Sequence, residues 1–437
     1  MNRNELFDTL EIAKKCGAEK SRVIFRTGTS SSFSFYNGDI EKVTESSSSV
    51  LLLQLFKNSR YGEFSTNKLD IDSVKSLIQK GCDSIDLIAE DSYRVLPSKD
   101  LYFKGDSIDL GQEDFAYEKI EAASKKRLVE EIARGGQRED KRVIAINTDY
   151  EDSRDSYMIA DTNGFYGDAK STFFSLASEV TVQGEGNARP QGWWSENNIF
   201  FDKLALADNC QEKAYQRAVA MLNPKKIKSG KYNVVIENIC ASKVVRPIIT
   251  ALSGGSIYQK SSFLIDAIGK SVFSKELTIR DIPHTPGSVG SRLFDNEGMA
   301  TVERDIITDG VVNTYFLNTY FAGLLGMTPT NGSISVPYIA PYGESNKNDI
   351  IKNLGKGVLI TGFNGGNSNP VTGDFSFGIE GFYFEGGEII HPIKEMNITG
   401  NIISLWKGIA HIGSDFRPTN MWRIPCLAFD KVNLSGL

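Results

Sequence analysis

The chain has 437 residues, a length typical of about two or three domains, and 40% of them are hydrophobic and 24% charged. This composition excludes global disorder, because it supplies enough apolar residues for a large core. The 49 Lys and Arg residues against 55 Asp and Glu residues give a net charge of −6. That mild acidic balance excludes a general nucleic-acid-binding surface, which requires an excess of basic residues.

The cysteines and the apolar segments predict where the protein is located. Five cysteines are scattered along the chain without a C-x-x-C pair, which is typical of free thiols in a reducing compartment. The residues after Met1 become amphipathic and lack the apolar core of a signal peptide. The densest apolar stretch, residues 50–56, is too short to cross a bilayer. We therefore predict a cytoplasmic protein without membrane contact.

Residues 1–90 are predicted to form a small α+β domain. Its elements are, in chain order, a helix over 5–16 stopped by Gly17, β-type runs at 23–25 and 32–35, an Asn37-Gly38 hairpin turn, a β-type run at 50–56, and a helix over 69–78 that ends at Gly81. The serine run at 46–49 lies between β-prone residues, so we expect a polar strand face there rather than a linker.

Residues 112–222 are predicted to form a central α+β domain after a polar connection. Its elements are a helix over 115–133 ended by Arg134-Gly135-Gly136, strands at 143–146, 156–160 and 171–182, an Asn163-Gly164 turn, and a helix over 202–222 stopped by Asn223-Pro224. Trp193 and Trp194 follow these strands; a binding platform is one interpretation, but aromatic core packing is the commoner arrangement and is the one we expect.

Residues 230–437 differ in character, because 19 of the 40 glycines fall between 285 and 400. This density indicates tight turns and closely packed strands. The alternation of Phe375, Phe377 and Ile379 shifts its phase at Gly381, which predicts a β-bulge, and Gly386-Gly387 predicts the hairpin turn that follows. The predicted fold class is α+β, with N-terminal and central α+β domains followed by a glycine-rich, largely antiparallel β C-terminal domain.

A search for catalytic groups finds no complete set. His284, His391 and His411 have no second histidine within five residues, so the zinc-peptidase helix is absent. A metal shared by His391 and His411 requires the fold to bring them together. Neither a G-x-S-x-G motif nor a phosphate-binding loop occurs. Cys240 is interpreted as a buried structural thiol, and the Asp295-Asn296-Glu297 segment as a polar turn rather than a calcium loop.

The C-terminal half carries motifs in an order that identifies a family. The stretch Gly365-Gly366-Asn367-Ser368-Asn369-Pro370-Val371-Thr372-Gly373-Asp374-Phe375-Ser376 resembles the hallmark of the TldD/PmbA family, in particular its TldE (PmbA) branch. Further agreement covers nearly the whole chain, including Tyr61-Gly62-Glu63-Phe64, Leu222-Asn223-Pro224, Phe294-Asp295-Asn296-Glu297-Gly298, Pro329-Thr330-Asn331-Gly332 and Ile412-Gly413-Ser414-Asp415.

The resemblance implies a family of paired subunits. TldD-type chains carry a His-Glu-x-x-x-His helix and a distant Cys that hold zinc, and they hydrolyse peptides; TldE-type chains lack these ligands and assemble with them. Here the corresponding stretch, 238–252, is predicted to be a helix interrupted by Pro247, and it contains no His and no carboxylate. Where TldD-type chains have the distant Cys, this chain has the segment Ser414-Asp415-Phe416. The chain thus resembles a TldE subunit without catalytic or metal-binding residues, and zinc is expected in a TldD-type partner.

Our first hypothesis is therefore a non-catalytic subunit of a heteromeric TldD/TldE zinc metallopeptidase that processes peptides and unfolded proteins and is inactive alone. A homodimer of the isolated chain is also possible. Residues expected to face partner or substrate are Glu237, Asn238, Arg246, Asn367 and Asp374. The family's older name, modulator of DNA gyrase, gives a second hypothesis of a regulatory protein-binding module without direct DNA contact. A third is an independent hydrolase that uses His391 or His411.

Overall fold

The computed structural model describes residues 1–105, 108–134, 139–205 and 209–436. Within these ranges there are ten α-helices: α1 Arg3–Lys15, α2 Ile71–Ile85, α3 Ala122–Ala133, α4 Phe201–Ala205, α5 Cys210–Ala220, α6 Ser242–Ala251, α7 Gly254–Tyr258, α8 Thr319–Leu325, α9 Lys347–Leu354 and α10 Ile402–Lys407.

The strands of the first half are β1 Lys20–Tyr36, β2 Asp39–Lys57, β3 Arg60–Thr66, β4 Val143–Asp161, β5 Tyr166–Val182 and β6 Gln191–Asn198. Those of the second half are β7 Gly230–Ile236, β8 Ile279–Asp281, β9 Arg304–Thr308, β10 Val311–Val312, β11 Pro337–Ile339, β12 Lys356–Phe363, β13 Asn367–Ser368, β14 Asp374–Glu385, β15 Glu388–Asn401, β16 Ile409–Ile412 and β17 Leu427–Gly436.

One antiparallel six-stranded sheet runs through the whole N-terminal half, in the order β3-β2-β1-β4-β5-β6. The long strands β1 and β4 pair continuously from Arg22 opposite Asp161 to Tyr36 opposite Asn147. Strands from the two predicted α+β domains are thus joined in one sheet. The domain boundaries 1–90, 112–222 and 230–437 remain a prediction.

The strands of this sheet are longer than their apolar runs indicated. The serine run at 46–49 lies within β2 and pairs with residues 27–30 of β1, so the interpretation as a strand is confirmed. Asn37 and Gly38 both have positive φ values, 51° and 83°, as the predicted two-residue turn requires. Serine and threonine on the solvent-exposed face of a strand keep its backbone hydrogen bonds but interrupt its hydrophobic pattern. Such a strand is therefore longer than its apolar residues indicate.

Two helix predictions in this half need correction at their ends. The helix predicted from residue 115 begins only at Ala122, because Tyr117 turns inward to bond Asp152 in a short 3₁₀ turn. The second helix does not end at Gly81 but continues to Ile85, since Gly81 provides room for the side chains of Leu55 and Phe64. The predicted stop at Gly135-Gly136 lies outside the described residues.

The helix predicted over 202–222 is divided into α4 and α5. Asn209, immediately before α5, has a left-handed backbone with φ 74° that no continuous helix adopts. Residues 206–208 of the predicted helix lie outside the described residues.

The C-terminal half contains a sheet that closes on itself. Its strands β12, β7, β17, β15 and β14 are neighbours in that order, and β14 pairs again with β12. All these pairs are antiparallel except β12 with β7, which is parallel. A separate small sheet has the order β10-β9-β8-β11. The predicted α+β fold class is confirmed.

The closed sheet and α6 share one apolar core. Val244, Val245 and Ile248 of α6 are buried with the inward residues of the strands. Trp406 of α10 is fully buried and donates its indole N–H to the Val244 carbonyl at 3.0 Å. The prediction that Pro247 interrupts this helix is wrong, because α6 continues through it to Ala251. The helix also begins at Ser242, later than the predicted residue 238.

The predicted bulge and turn of the β14–β15 hairpin are confirmed. The register shifts between Ile379 and Gly381, and a Cβ on Gly381 would lie 1.9 Å from the Leu359 carbonyl oxygen. Gly386 and Gly387 form the turn with φ values of 64° and 79°. Within the described ranges, the helices are too short or too polar to span a bilayer.

Candidate functional site

Two of the segments that carry the predicted site residues meet beside α6. Glu237 and Asn238 follow β7 directly, Arg246 lies on α6, and Asn367 lies on β13. Lys243 of α6 reaches the Gly366 carbonyl with its ammonium at 3.5 Å, so the glycine-rich loop borders the helix. The structure therefore brings the neighbourhoods of Glu237, Arg246 and Asn367 together.

Asp374, at the start of β14, lies beside β13, because its carbonyl oxygen accepts the backbone N–H of Asn369 at 2.7 Å. Its carboxylate accepts hydrogen bonds from the amide of Asn401 at 3.0 Å and from the hydroxyl of Thr372 at 2.7 Å. These two hydrogen bonds lower the pKa of the Asp374 carboxyl. These contacts connect the start of β14 to the end of β15.

Two cations occupy the face of α6 that borders the loops. The Lys243 ammonium lies 4.8 Å from the ring centre of Phe377. The Arg246 guanidinium lies 4.5 Å from the ring centre of Trp422, and the Arg246 side chain is exposed. A cation above an aromatic face is attracted by the ring quadrupole, so both side chains have a defined place. Lys243 was missed by the sequence analysis, although its spacing from Arg246 places both on one helical face.

The segment around residue 415 lies against the entrance to α6. The Asn238 side-chain amide donates to the Asp415 carbonyl oxygen. The Asp415 carboxylate in turn accepts the backbone N–H of Cys426 at 2.8 Å. The two segments at which the resemblance places zinc ligands in TldD-type chains are thus neighbours here, but they meet through an amide and a carbonyl.

The two nearby thiols differ in exposure, since Cys426 is buried and Cys240 is partly exposed. Burial raises the pKa of the Cys240 thiol to about 12, and this thiol donates to the Glu237 carbonyl at 3.3 Å. Burial also raises the pKa of Cys426, whose side chain is fully buried. A thiol must ionise to bind a metal or act as a nucleophile. The raised pKa values favour a structural role for both cysteines, although Cys240 is less buried than predicted.

The residues around α6 do not fit a zinc ion. Zinc in proteins takes imidazole, thiolate or carboxylate ligands, whereas this face of α6 offers two cations. The nearby carboxylates are already engaged, that of Asp415 by the Cys426 backbone N–H and that of Glu237 by two cations. Across residues 1–105, 108–134, 139–205 and 209–436, no three His, Cys, Asp or Glu side chains are grouped so that they could hold a metal. The imidazole of His391 stacks on Tyr383 at 5.5 Å, and that of His284 bonds the Thr301 hydroxyl at 3.1 Å.

Glu237 is the charged centre between the two halves of the molecule. Its carboxylate accepts from Arg217 of α5 at 2.9 Å and from Lys347 of α9 at 2.7 Å. Arg217 also donates to the Thr361 carbonyl on β12 at 3.0 Å. One buried carboxylate thus joins a helix of the first sheet to two elements of the C-terminal half. Arg217 and Lys347 have no sequence signal, because they come from segments remote from Glu237.

The two adjacent tryptophans lie at a cleft beside this ion pair. Trp194 donates its indole N–H to Glu196 at 2.6 Å, and the guanidinium of Arg417 lies 4.9 Å from its ring centre. Burial opposes ionisation of Glu196, but the bond from Trp194 and the charges of Arg417 and Lys213 keep its pKa below the usual range. Trp193 is 43% exposed. Trp193 is therefore part of an open cleft wall, whereas Trp194 is half-buried and packs against two apolar clusters of the first sheet.

The predicted polar turn at Asp295 connects the two halves. The Asp295 carboxylate accepts the backbone N–H groups of Glu297 at 2.8 Å and Met299 at 3.1 Å, and it caps the turn in place of a cation. Arg22 of β1 donates to the Glu297 carbonyl at 3.1 Å. Burial raises the pKa of the Glu297 carboxyl, which accepts from the Thr319 backbone and hydroxyl.

Comparison with known proteins agrees with this architecture along the whole chain. Models of the PmbA/TldA metallopeptidase match domain 1 at residues 22–85, the central domain at 115–222 and the C-terminal domain at 229–436. The metalloprotease PmbA homolog of Haemophilus influenzae is 28% identical over 434 residues, which cover 98% of this chain and 94% of that protein.

Two solved structures extend the comparison. A proposed modulator of DNA gyrase from Bacteroides thetaiotaomicron is 37% identical, with a TM-score of 0.96, and the match covers 100% of this chain and 99% of that one. TldE from Thermococcus kodakarensis shares the fold, with a TM-score of 0.85 at 18% identity over 98% of this chain and 99% of that one. The chain belongs to the TldD/PmbA family of metallopeptidase-type proteins, as its motifs indicated.

Proposed function

We propose that this chain is a TldE-type subunit that has no catalytic activity of its own. It assembles in the cytoplasm with a TldD-type subunit, which supplies the zinc and cleaves peptides and unfolded proteins. The fold-level likeness to TldE from Thermococcus kodakarensis supports this assignment. The Haemophilus influenzae relative is named a metalloprotease. In this proposal the protease activity belongs to the complex and not to this chain alone.

The observation that carries the proposal is the chemistry of α6. Lys243 and Arg246 stand on the helix where TldD-type chains present their zinc-binding motif, and each is held over an aromatic ring. Two fixed positive charges repel a dication and cannot ligate it. The same face is open to a partner, since Arg246 is exposed. We therefore assign this face to recognition of the partner or of its peptide substrate.

The experiment measures bound zinc and peptide cleavage for the purified chain, alone and mixed with a TldD-type partner. We expect neither zinc nor cleavage from the chain alone, and cleavage from the mixture. Stoichiometric zinc together with cleavage by the chain alone would contradict the proposal. Replacement of both His391 and His411 by Ala then tests whether those imidazoles are responsible.

A charge reversal tests the face of α6. The Arg246→Glu variant is expected to weaken assembly with the partner, because it reverses an exposed charge at the proposed contact. Lys42→Glu is the matched control, since Lys42 is an exposed cation on β2, in the other half of the molecule. Equal assembly by both variants would remove the α6 face from the proposed interface.

The regulatory function is a second candidate, supported by the description of the Bacteroides thetaiotaomicron relative, at 37% identity, as a proposed modulator of DNA gyrase. An affinity purification from cells separates the two candidates. Recovery of a TldD-type chain supports the peptidase subunit. Recovery of a topoisomerase without a peptidase supports the regulatory module and contradicts the first proposal.

A further inference from the structure

A cleft of about 510 Å³ lies between β6 with α5 on one side and the closed C-terminal sheet on the other. Its apolar wall includes Trp193, Met221, Leu359, Phe382 and Ile389. Trp193 and Ile389 are 43% and 46% exposed, so apolar surface is open to solvent inside the cleft. A partly apolar cleft of this volume is typical of a site for a small ligand.

The cations of the cleft outnumber the carboxylates that neutralise them. Glu237 is a single carboxylate bonded to both Arg217 and Lys347. Glu196, just outside the lining, is likewise shared by Lys213 and Arg417. Each group therefore retains one net positive charge. The ammonium groups of Lys213 and Lys347 each have three donors, so donors remain for a bound anion.

One carboxylate in the cleft has no partner of its own. Glu380 of β14 is exposed and lies directly opposite Gly362 of β12, with its Oε2 atom over that glycine. No side chain of the described residues forms an ion pair or hydrogen bond with it. Arg217 bonds the carbonyl of Thr361, the residue before Gly362. The unpaired carboxylate of Glu380 and the positively charged group around Arg217 thus lie beside adjacent residues of β12.

We propose that this cleft binds short free peptides as zwitterions. The terminal carboxylate lies towards Lys213, Arg217 and Lys347, the terminal ammonium pairs with Glu380, and an apolar side chain packs against Trp193. This arrangement matches opposite charges at both ends of the ligand and covers the exposed apolar wall. Short peptides with free ends are also the chemical class that peptide cleavage releases.

The site goes beyond the proposed subunit function, because all of its residues belong to this chain and no partner is required. The isolated chain is therefore the correct sample. The probes are the dipeptide Leu-Phe, its N-acetyl derivative and its C-terminal amide, measured by titration calorimetry and by tryptophan fluorescence. Acetylation removes the ammonium, and amidation removes the carboxylate, so each derivative tests one end of the ligand.

We expect Leu-Phe to bind at one site and to change the tryptophan fluorescence. Loss of either charged end is expected to weaken binding about tenfold or more, as for a hydrogen bond between charged groups. Glu380→Gln is expected to weaken binding of Leu-Phe by about tenfold and to remove the difference between the free and the acetylated peptide. Glu41→Gln, an exposed carboxylate on β2, is the matched control and should bind as the wild type.

Three results would overturn the proposal. The first is the absence of saturable binding of Leu-Phe up to about 1 mM. The second is equal binding of the free, acetylated and amidated peptides, which would leave only apolar contact. The third is a Glu380→Gln variant that still distinguishes the acetylated peptide from the free one. None of these results affects the zinc and cleavage assay, so the two proposals fail independently.

Discussion

The carboxylate of Glu237 and the guanidinium of Arg217 are 2.9 Å apart and join the two halves of the molecule. Glu237 follows a strand of the closed sheet, whereas Arg217 lies on the helix packed against β6. Only 9% of the Glu237 side chain is exposed, against 21% for Arg217. The pair is therefore shielded from water, and its loss has a larger effect than the loss of a surface ion pair.

Glu237→Gln is predicted to destabilise the protein by about 2–3 kcal/mol, because it leaves Arg217 and Lys347 without a counter-charge in a half-buried place. Thermal unfolding measures the change. Glu385→Gln is the control, since it breaks the exposed pair of Glu385 with Lys356 and should leave the midpoint unchanged. Equal midpoints for the wild type and Glu237→Gln would contradict the structural role of Glu237.

Asp152 is predicted to be the most sensitive carboxylate of the first sheet. It accepts hydrogen bonds from the hydroxyls of Tyr117, Tyr150 and Ser31 at 2.6–2.7 Å, and it pairs with buried Lys125 at 2.7 Å. Asp152→Asn leaves the Lys125 charge buried without a counter-charge and should cost about 3–5 kcal/mol in unfolding measurements. Asp149→Asn, an exposed site on the same strand, should have little effect.

The pH dependence of Asp152 gives a second test of the same cluster. Burial opposes its ionisation, but the bonds from Lys125 and the three hydroxyls outweigh burial and lower its pKa below the ordinary value. Its stabilising contribution is therefore present above the unfolded pKa of about 3.9 and is lost as the pH falls through the folded pKa. The stability gap between the wild type and Asp152→Asn should narrow below about pH 4, and a constant gap would contradict this.

Glu297 is predicted to show the opposite pH dependence. Burial raises the pKa of its carboxyl in the folded protein, so the folded state binds its proton more tightly than the unfolded state. The contribution of this carboxyl to the stability of the wild type should therefore fall as the pH rises. The fall begins near the pKa of the unfolded state, about 4.3, and continues through the pKa of the folded state. Glu297→Gln should therefore gain stability relative to the wild type as the pH rises above about 4.3. A pH-independent difference between the two proteins would refute the prediction.

Chelation tests whether a metal contributes to the fold. A structural zinc ion stabilises its protein directly, so its removal lowers the unfolding midpoint. The donors beside α6 do not fit zinc, and we therefore expect the same midpoint for the isolated chain with and without EDTA. A TldD-type partner in the same buffer is the positive control and should lose activity. A lowered midpoint for the isolated chain would indicate a resident metal.

Local patterns in the sequence were sufficient for the features that depend on neighbouring residues. The Asn37-Gly38 turn and the bulge at Gly381 were predictable because each depends on a few adjacent residues. The start of α3 was not predictable in this way, because the position of Tyr117 is decided by Asp152, 35 residues further along the chain. Helical continuation through Pro247 was also missed, since the packing of Val244, Val245 and Ile248 in the core overrides local preference.

The candidate site was predictable only in part. Glu237 and Arg246 were found because they lie in or beside the stretch that corresponds to the zinc motif of TldD-type chains. Lys347, which is 110 residues from Glu237, could not be connected to it from the sequence. Glu380 was not identified from the sequence, because its lack of a partner is a property of the folded cleft. Ion pairs between residues that are far apart in the chain produce no local sequence pattern, so they cannot be predicted from a single sequence.

The shared ladder between β1 and β4 determines how the protein can be divided. Residues 1–105 excised alone would retain β2 and β3 but would lose the whole of β4, which pairs with β1 from Arg22 to Tyr36. The fragment would then present a long row of unsatisfied backbone donors and acceptors, which is a template for intermolecular strand exchange. Because α5 also packs against β5 and β6, any dissection of the chain by expression of fragments has to keep residues 1–222 together.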